Sequence, residues 1–228
     1  MSSASFRDLT KKTLFLLSLA TARWIGEIQA LSSKVAHHGG DLWLSYLPGF
    51  LAKTESSNNP LPRHFLVKSL KEFVGELEQD ALLCPVRALK YYLRRTKEIS
   101  PRPANLFVSP NCRLRAMSNS AISSFLRETI VNARAVGVVE GHAPRAHSIW
   151  GMSTSITFNK NWSIKQVLRA VTWKSNSIFV SYYLKDVAYV GGLKFSGPLC
   201  VYRACSEFRF LSSSISFSLM LPCCVVLY

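Results

Sequence analysis

Residues 21–32 read TARWIGEIQALS, and a second stretch, residues 144–155, reads PRAHSIWGMSTS. The first lies at the end of a region, Leu9 to Leu31, whose apolar residues recur at helical spacing with few breakers. That spacing predicts one or two helices. Trp24 stands directly before Ile-Gly-Glu-Ile, with Arg23 one residue earlier, which is about 100° away around a helix of 3.6 residues per turn. In the second stretch Arg145 and His147 are two residues apart, Trp150 follows three residues later, and a small hydroxyl-rich run comes next. Another helix is predicted to begin near His147. Each tryptophan taken alone is more often a core residue than a functional one.

Outward from these stretches the chain alternates between helical and extended patterns. LWLSYLPGF, residues 42–50, is apolar and aromatic until Pro48 and Gly49, and predicts a strand ending in a turn. LAKTESSNNPLPRHFLV, residues 51–67, then places Lys53 at a strand-like edge before a polar Ser/Asn loop and a second apolar run. The two runs predict a hairpin with a loose loop. Pro85 sits where the first turn of a helix tolerates proline, and Val86, Leu89, Tyr92 and Leu93 line one face of the helix that follows. Arg87, Lys90, Arg94, Arg95 and Lys97 make its remainder basic, as either a solvated face or a contact for DNA backbone. Ser118, Asn119 or Ser120 caps the next helix, with Gly137 as a stop, and Ser163 caps a shorter one.

A chain of 228 residues can bury a sizeable core, and 48% hydrophobic against 18% charged residues points to a globular protein rather than a disordered one. Its 28 Lys+Arg against 13 Asp+Glu leave +15, a statement about partners. Nucleic acid comes first and an acidic membrane surface second. The six cysteines form no C-x-x-C pair and lack zinc spacing, and scattered thiols of this kind suggest an intracellular setting. His37, His38, His64 and His142 have no acid or cysteine partners at metal spacing, so no metal site is expected. The N-terminal apolar run TLFLLSLATA resembles a signal peptide only superficially and is expected to form a buried helix. After Val187 helical periodicity disappears and Ser, Cys and Phe accumulate. Only Lys194, Arg203, Arg209 and Glu207 are charged there, so +13 of the +15 belongs to residues 1–187. Residues 188–228 are therefore set apart as an atypical tail, disordered or a read-through product, and a poor membrane anchor because of its serines and Pro222.

Four stretches in order, TARWIGEIQALS, GFLAKTE (residues 49–55), RAHSIWGMSTS and AVTWKSNSIFVSYYLKDV (residues 170–187), resemble the catalytic domain of tyrosine recombinases, the phage-integrase superfamily. The likeness is nearest to versions carried by animal transposable elements of the DIRS type, and it covers roughly Leu9 to Val187. It implies a mainly α fold with a small three-stranded antiparallel sheet near residues 41–68, an α+β domain spanning 1–187. The family's separate N-terminal core-binding domain is expected to be missing.

The family breaks and rejoins DNA through a 3′-phosphotyrosyl intermediate, with no cofactor or metal. A tyrosine attacks the phosphodiester. Two arginines hold the non-bridging oxygens, where charge accumulates. A hairpin lysine protonates the leaving oxygen, and a histidine positions or moves protons. By this resemblance Lys53 takes the lysine role, His147 the histidine role, and Trp173 the His/Trp position near the tyrosine. Tyr183 is the nucleophile, with Tyr182 in reserve. Trp24 and Trp150 fall on the two arginine positions. One C-to-T change converts an arginine CGG codon to tryptophan TGG, so decay of a transposon copy would produce both. An indole has one N–H donor and no charge where guanidinium has five donors and a fixed charge. The resemblance therefore implies a recombination and integration fold with its activity lost, a pseudoenzyme whose partner is double-stranded DNA. It also implies possible self-association on DNA and a nuclear location. A non-catalytic DNA-binding module derived from a transposon and, more weakly, a membrane-tethered basic protein are the alternatives.

Overall fold

The computed structural model describes residues 4–53, 55, 60, 62–70, 82–134, 145–146, 148–159, 163, 165–166 and 225–226. Helix α1, Phe6–Thr21, begins at Ser5, whose hydroxyl accepts from the Asp8 N–H at 3.0 Å. Its second half is buried on every side, from Thr13 to Thr21. The buried hydroxyls of Thr10, Thr13 and Thr21 donate to carbonyls one turn back at 2.7–2.8 Å, which satisfies them within the helix, and Thr13 also reaches the Ala88 carbonyl at 3.5 Å. Ala22 ends the helix in the left-handed conformation, φ 47°, with its N–H bonded to the Ser18 carbonyl. Glycine is usual at such a position, because a Cβ there costs about 1–2 kcal/mol. The backbone reverses at this residue and α2, Ile25–Gln29, starts three residues later.

The chain leaving α2 is stitched to two other segments. Ser32 N–H donates to the Ser45 carbonyl, Leu47 N–H to the Ala30 carbonyl, and Leu106 N–H to the Leu31 carbonyl, at 2.7–2.8 Å. The sheet is an antiparallel meander of β1 (Ala36–His38), β2 (Asp41–Ser45) and β3 (His64–Val67). A short strand β4, Val225–Val226, pairs with the free edge of β3. Gly39, at φ 56°, makes the two-residue turn between β1 and β2. Leu42 faces Val67 and Leu44 faces Phe65 across the β2–β3 ladder, and these four side chains form the buried side of the sheet.

Helix α3, Pro85–Arg95, has Pro85 in its first turn and Val86, Leu89 and Tyr92 buried. The Cys84 thiol caps it by accepting from the Arg87 N–H at 3.4 Å. Helices α4 (Asn119–Arg134) and α5 (Ser148–Asn159) follow among the described residues, with the Ser118 hydroxyl accepting from Ala121 N–H ahead of α4. Helices α3, α4 and α5 all pack on α1, which is therefore the central element. One cluster of buried side chains runs from Phe6 to Ile149 and joins the helices to the sheet.

The α+β class expected from the sequence holds. The expected range of 41–68 misses β1, whose residues are all exposed and carry no apolar alternation. Lys53 lies in a turn beyond Gly49, not at a strand edge. Of the segment 188–228 only β4 falls among the described residues. Leu17 is fully buried at the middle of the packing and Leu51 is 73% exposed. Leu17→Ala is expected to lower stability by about 2–5 kcal/mol in urea denaturation, while Leu51→Ala stays within about 0.5 kcal/mol.

Candidate active site

The reversal at Ala22 sends Arg23 inward and leaves Trp24 half-buried. Arg23 is 1% exposed. Its guanidinium lies over the Phe65 ring of β3 at 4.7 Å and pairs with Glu27 at 3.6 Å, one helical turn on. The other Glu27 oxygen accepts the Trp24 N–H at 2.7 Å and caps the start of α2. Burial pushes the Glu27 carboxyl above its usual range, and Arg23 and the Trp24 N–H pull it back only in part. Tyr46, directly after β2, belongs to the same buried group. Burial raises its phenol, with Arg23 acting in the opposite direction.

On the other side of the junction, Trp150 in the first turn of α5 is 3% exposed. Its ring centroid lies 4.8 Å from that of Trp24, with the planes tilted by 39°. The Trp150 indole N–H donates to the Arg23 carbonyl at 2.5 Å. Thr154 donates back to the Trp150 carbonyl at 2.7 Å, so this buried hydroxyl is satisfied within the helix. Two positions 126 residues apart thus meet, and Ala22 packs on the pair they form.

The chemistry of this arrangement follows from its donors. An indole has a single N–H, and that of Trp150 is committed to a backbone carbonyl. It has nothing left to offer a phosphate oxygen. The Arg23 side chain, adjacent to Trp24 in sequence, has no solvent exposure and is held by Glu27 and Phe65.

Lys53 stands exposed in the loop between β2 and β3. The loop around it is braced: Glu55 accepts from the Ala52 N–H at 3.1 Å and from Arg63 at 2.7 Å, and Arg63 also donates to the Phe50 carbonyl at 2.7 Å. The described residues on either side of Lys53, Ala52 and Glu55, are thus hydrogen-bonded to each other, and residues 54, 56–59 and 61 of the expected loop lie outside the described residues. His147 directly precedes α5 and lies outside the described residues, as do Trp173, Tyr182 and Tyr183. Ser163 lies in a capping box with Gln166, as its sequence suggests: its hydroxyl accepts from the Gln166 N–H at 3.3 Å, and its own N–H donates to the Gln166 amide at 2.8 Å. Among the described residues no cluster of His, Cys, Asp or Glu could hold a metal ion, and no helix is long and apolar enough to cross a membrane.

The buried Arg23–Glu27 pair and the Phe65 face above it are the features that spacing did not disclose. The only hint in the sequence was an acid four residues after an arginine. No protein-family model matches the chain, and no curated protein matches it.

A buried ion pair loses more when one partner is removed than when both are replaced by apolar side chains. Glu27→Leu alone is expected to cost about 3–5 kcal/mol. The double variant Arg23→Met/Glu27→Leu should be the more stable of the two in urea denaturation, despite carrying the additional substitution.

Proposed function

We propose that this chain is a tyrosine recombinase-type DNA-processing domain that binds duplex DNA and has lost strand cleavage. The observation that supports this reading is the meeting of Trp24 and Trp150. The resemblance assigned these two positions, independently of any structure, to two arginines that must converge on one phosphate. Side chains so far apart in sequence have no local reason to touch. Their contact at 4.8 Å is what a shared phosphate site requires of the two positions. The α+β architecture and the placement of Lys53 on a turn after β2 accord with the same reading.

In the active form, paired guanidinium groups would neutralise charge developing on the non-bridging oxygens. Removing one preorganised donor of this kind costs about 10²–10³ in rate. Here both charges are absent, and one of the two indole donors is spent on the Arg23 carbonyl. The remaining candidates, Lys53 for the leaving oxygen, His147, Trp173 and the nucleophile Tyr183 with Tyr182 in reserve, would be left without a clamp to act around. A second reading, a DNA-binding module retained for another use, is favoured by the same burial of Trp150, because a core tryptophan contributes to stability whether or not DNA is cut.

Covalent trapping on a nicked suicide duplex separates the readings. The wild-type chain should form no phosphotyrosyl adduct. Trp24→Arg/Trp150→Arg should form one that disappears on Tyr183→Phe, or on Tyr182→Phe if that residue is the nucleophile. A restored double variant that is folded and DNA-bound yet forms no adduct would leave the binding module as the reading to keep. An adduct from the wild-type chain would contradict the loss of cleavage.

A further inference from the structure

The opposite end of α1 carries a separate concentration of charge. Residues 85–116 hold eight Lys and Arg (Arg87, Lys90, Arg94, Arg95, Lys97, Arg102, Arg113 and Arg115) against one acid, Glu98. The difference, 8 − 1 = +7, is nearly half of the net +15 within 32 residues of 228. The fold gathers five of these cations. Arg94, Arg95 and Lys97 stand at the C-terminal end of α3. Arg113 and Arg115 stand on the tip of a tight loop between Val108 and Ala116, closed by the Ser109 N–H to Arg115 carbonyl bond at 2.8 Å.

The two groups are locked to each other through Tyr92 and the start of α1. The Tyr92 hydroxyl accepts from the Val108 N–H at 2.9 Å, at the base of the loop. Phe6 stacks on the Tyr92 ring at 5.7 Å, and the Arg113 guanidinium covers Phe6 at 4.4 Å. Arg95 donates to the Ala4 carbonyl at 3.4 Å, two residues ahead of the same phenylalanine. The carboxylates that form ion pairs among the described residues are Asp8, Glu27, Glu55 and Glu128, and their partners are Arg7, Lys11, Arg23 and Arg63. None pairs with the five cations.

We propose that this surface, built from the end of α3 and the 109–115 loop, is a second nucleic-acid contact that grips the phosphate backbone away from the tryptophan pair. The pair lies beyond the C-terminus of α1 and this surface lies around its N-terminus. Sixteen residues at about 1.5 Å each separate them by about 24 Å. One phosphate cannot serve both. Four of the five cations are arginines, whose planar fork matches phosphate oxygens bidentately. Helix and braced loop hold them in place, so little ordering is needed on binding. An acidic membrane is the poorer fit, since interfacial binding needs a broad apolar face and Leu114 is the one large exposed apolar side chain on this loop. The inference does not rest on the recombinase reading, and a failed arginine-restoration assay leaves it standing.

The test is binding of the full chain to a short duplex of random sequence, followed by fluorescence anisotropy across a salt series. Each phosphate contact contributes about 0.9 to the slope of log K against log salt. Arg94→Ala/Arg113→Ala/Arg115→Ala should flatten the slope by about 2.7, with the circular dichroism spectrum unchanged. Lys34→Ala/Arg127→Ala/Lys165→Ala, which removes equal charge elsewhere, should leave the slope near the wild-type value. The Arg→Lys version of the first triple should keep most of it. Equal flattening by both alanine triples would overturn the proposal in favour of diffuse charge. So would triple-dependent binding to phosphatidylserine vesicles without binding to the duplex.

Discussion

The junction between α1 and α2 depends on one hydrogen bond, from the Trp150 indole to the Arg23 carbonyl. It joins residues 127 apart in sequence and places the start of α5 against the turn at Ala22. On the far side of the same turn, the Arg23 guanidinium lies over the Phe65 ring and pairs with Glu27, so helix, turn and sheet share one buried group of atoms. The left-handed backbone at Ala22 is the local cost of this arrangement. It accompanies a reversal that delivers the Arg23 side chain to Phe65 and Glu27 and its carbonyl to Trp150.

That geometry makes Trp24 and Trp150 one packing unit rather than two separate residues. A guanidinium at either position would carry charge and several donors into a space now filled by two tilted rings. The rings instead contribute burial, together with an aromatic contact worth about 0.5–1.5 kcal/mol beyond that burial. The polar function implied by the resemblance and the packing present in this chain are therefore mutually exclusive uses of the same positions. Introducing arginine exchanges stability for charge, and the buried Arg23–Glu27 pair must tolerate a second cation nearby.

Much of the fold was legible because local rules and tertiary packing agree. Pro85 in a first turn, Ser118 as a cap, Gly49 after a strand and the helical spacing before Thr21 all gave the element that forms. Strand β1 was missed because Ala36, His37 and His38 are exposed and lack a period-2 pattern, and the strand is defined by pairing with β2. Arg23 was passed over because arginine is rarely buried, and its buried surroundings are Glu27 and Phe65, the latter on a strand 42 residues away. The Trp24–Trp150 contact was implied only through a family's chemistry, since no periodicity connects residues so distant. The basic surface was half legible: composition marked α3, but only the fold brings Arg113 and Arg115 beside it.

The central claim is that positions 24 and 150 occupy one site. Exciton-coupled circular dichroism measures it directly, because two indoles with centroids 4.8 Å apart couple strongly and independent indoles do not. A couplet should be present in the wild-type chain, vanish equally in Trp24→Phe and Trp150→Phe, and survive Trp43→Phe. A spectrum that is the sum of independent indoles, or a couplet that outlasts either substitution, would contradict the account.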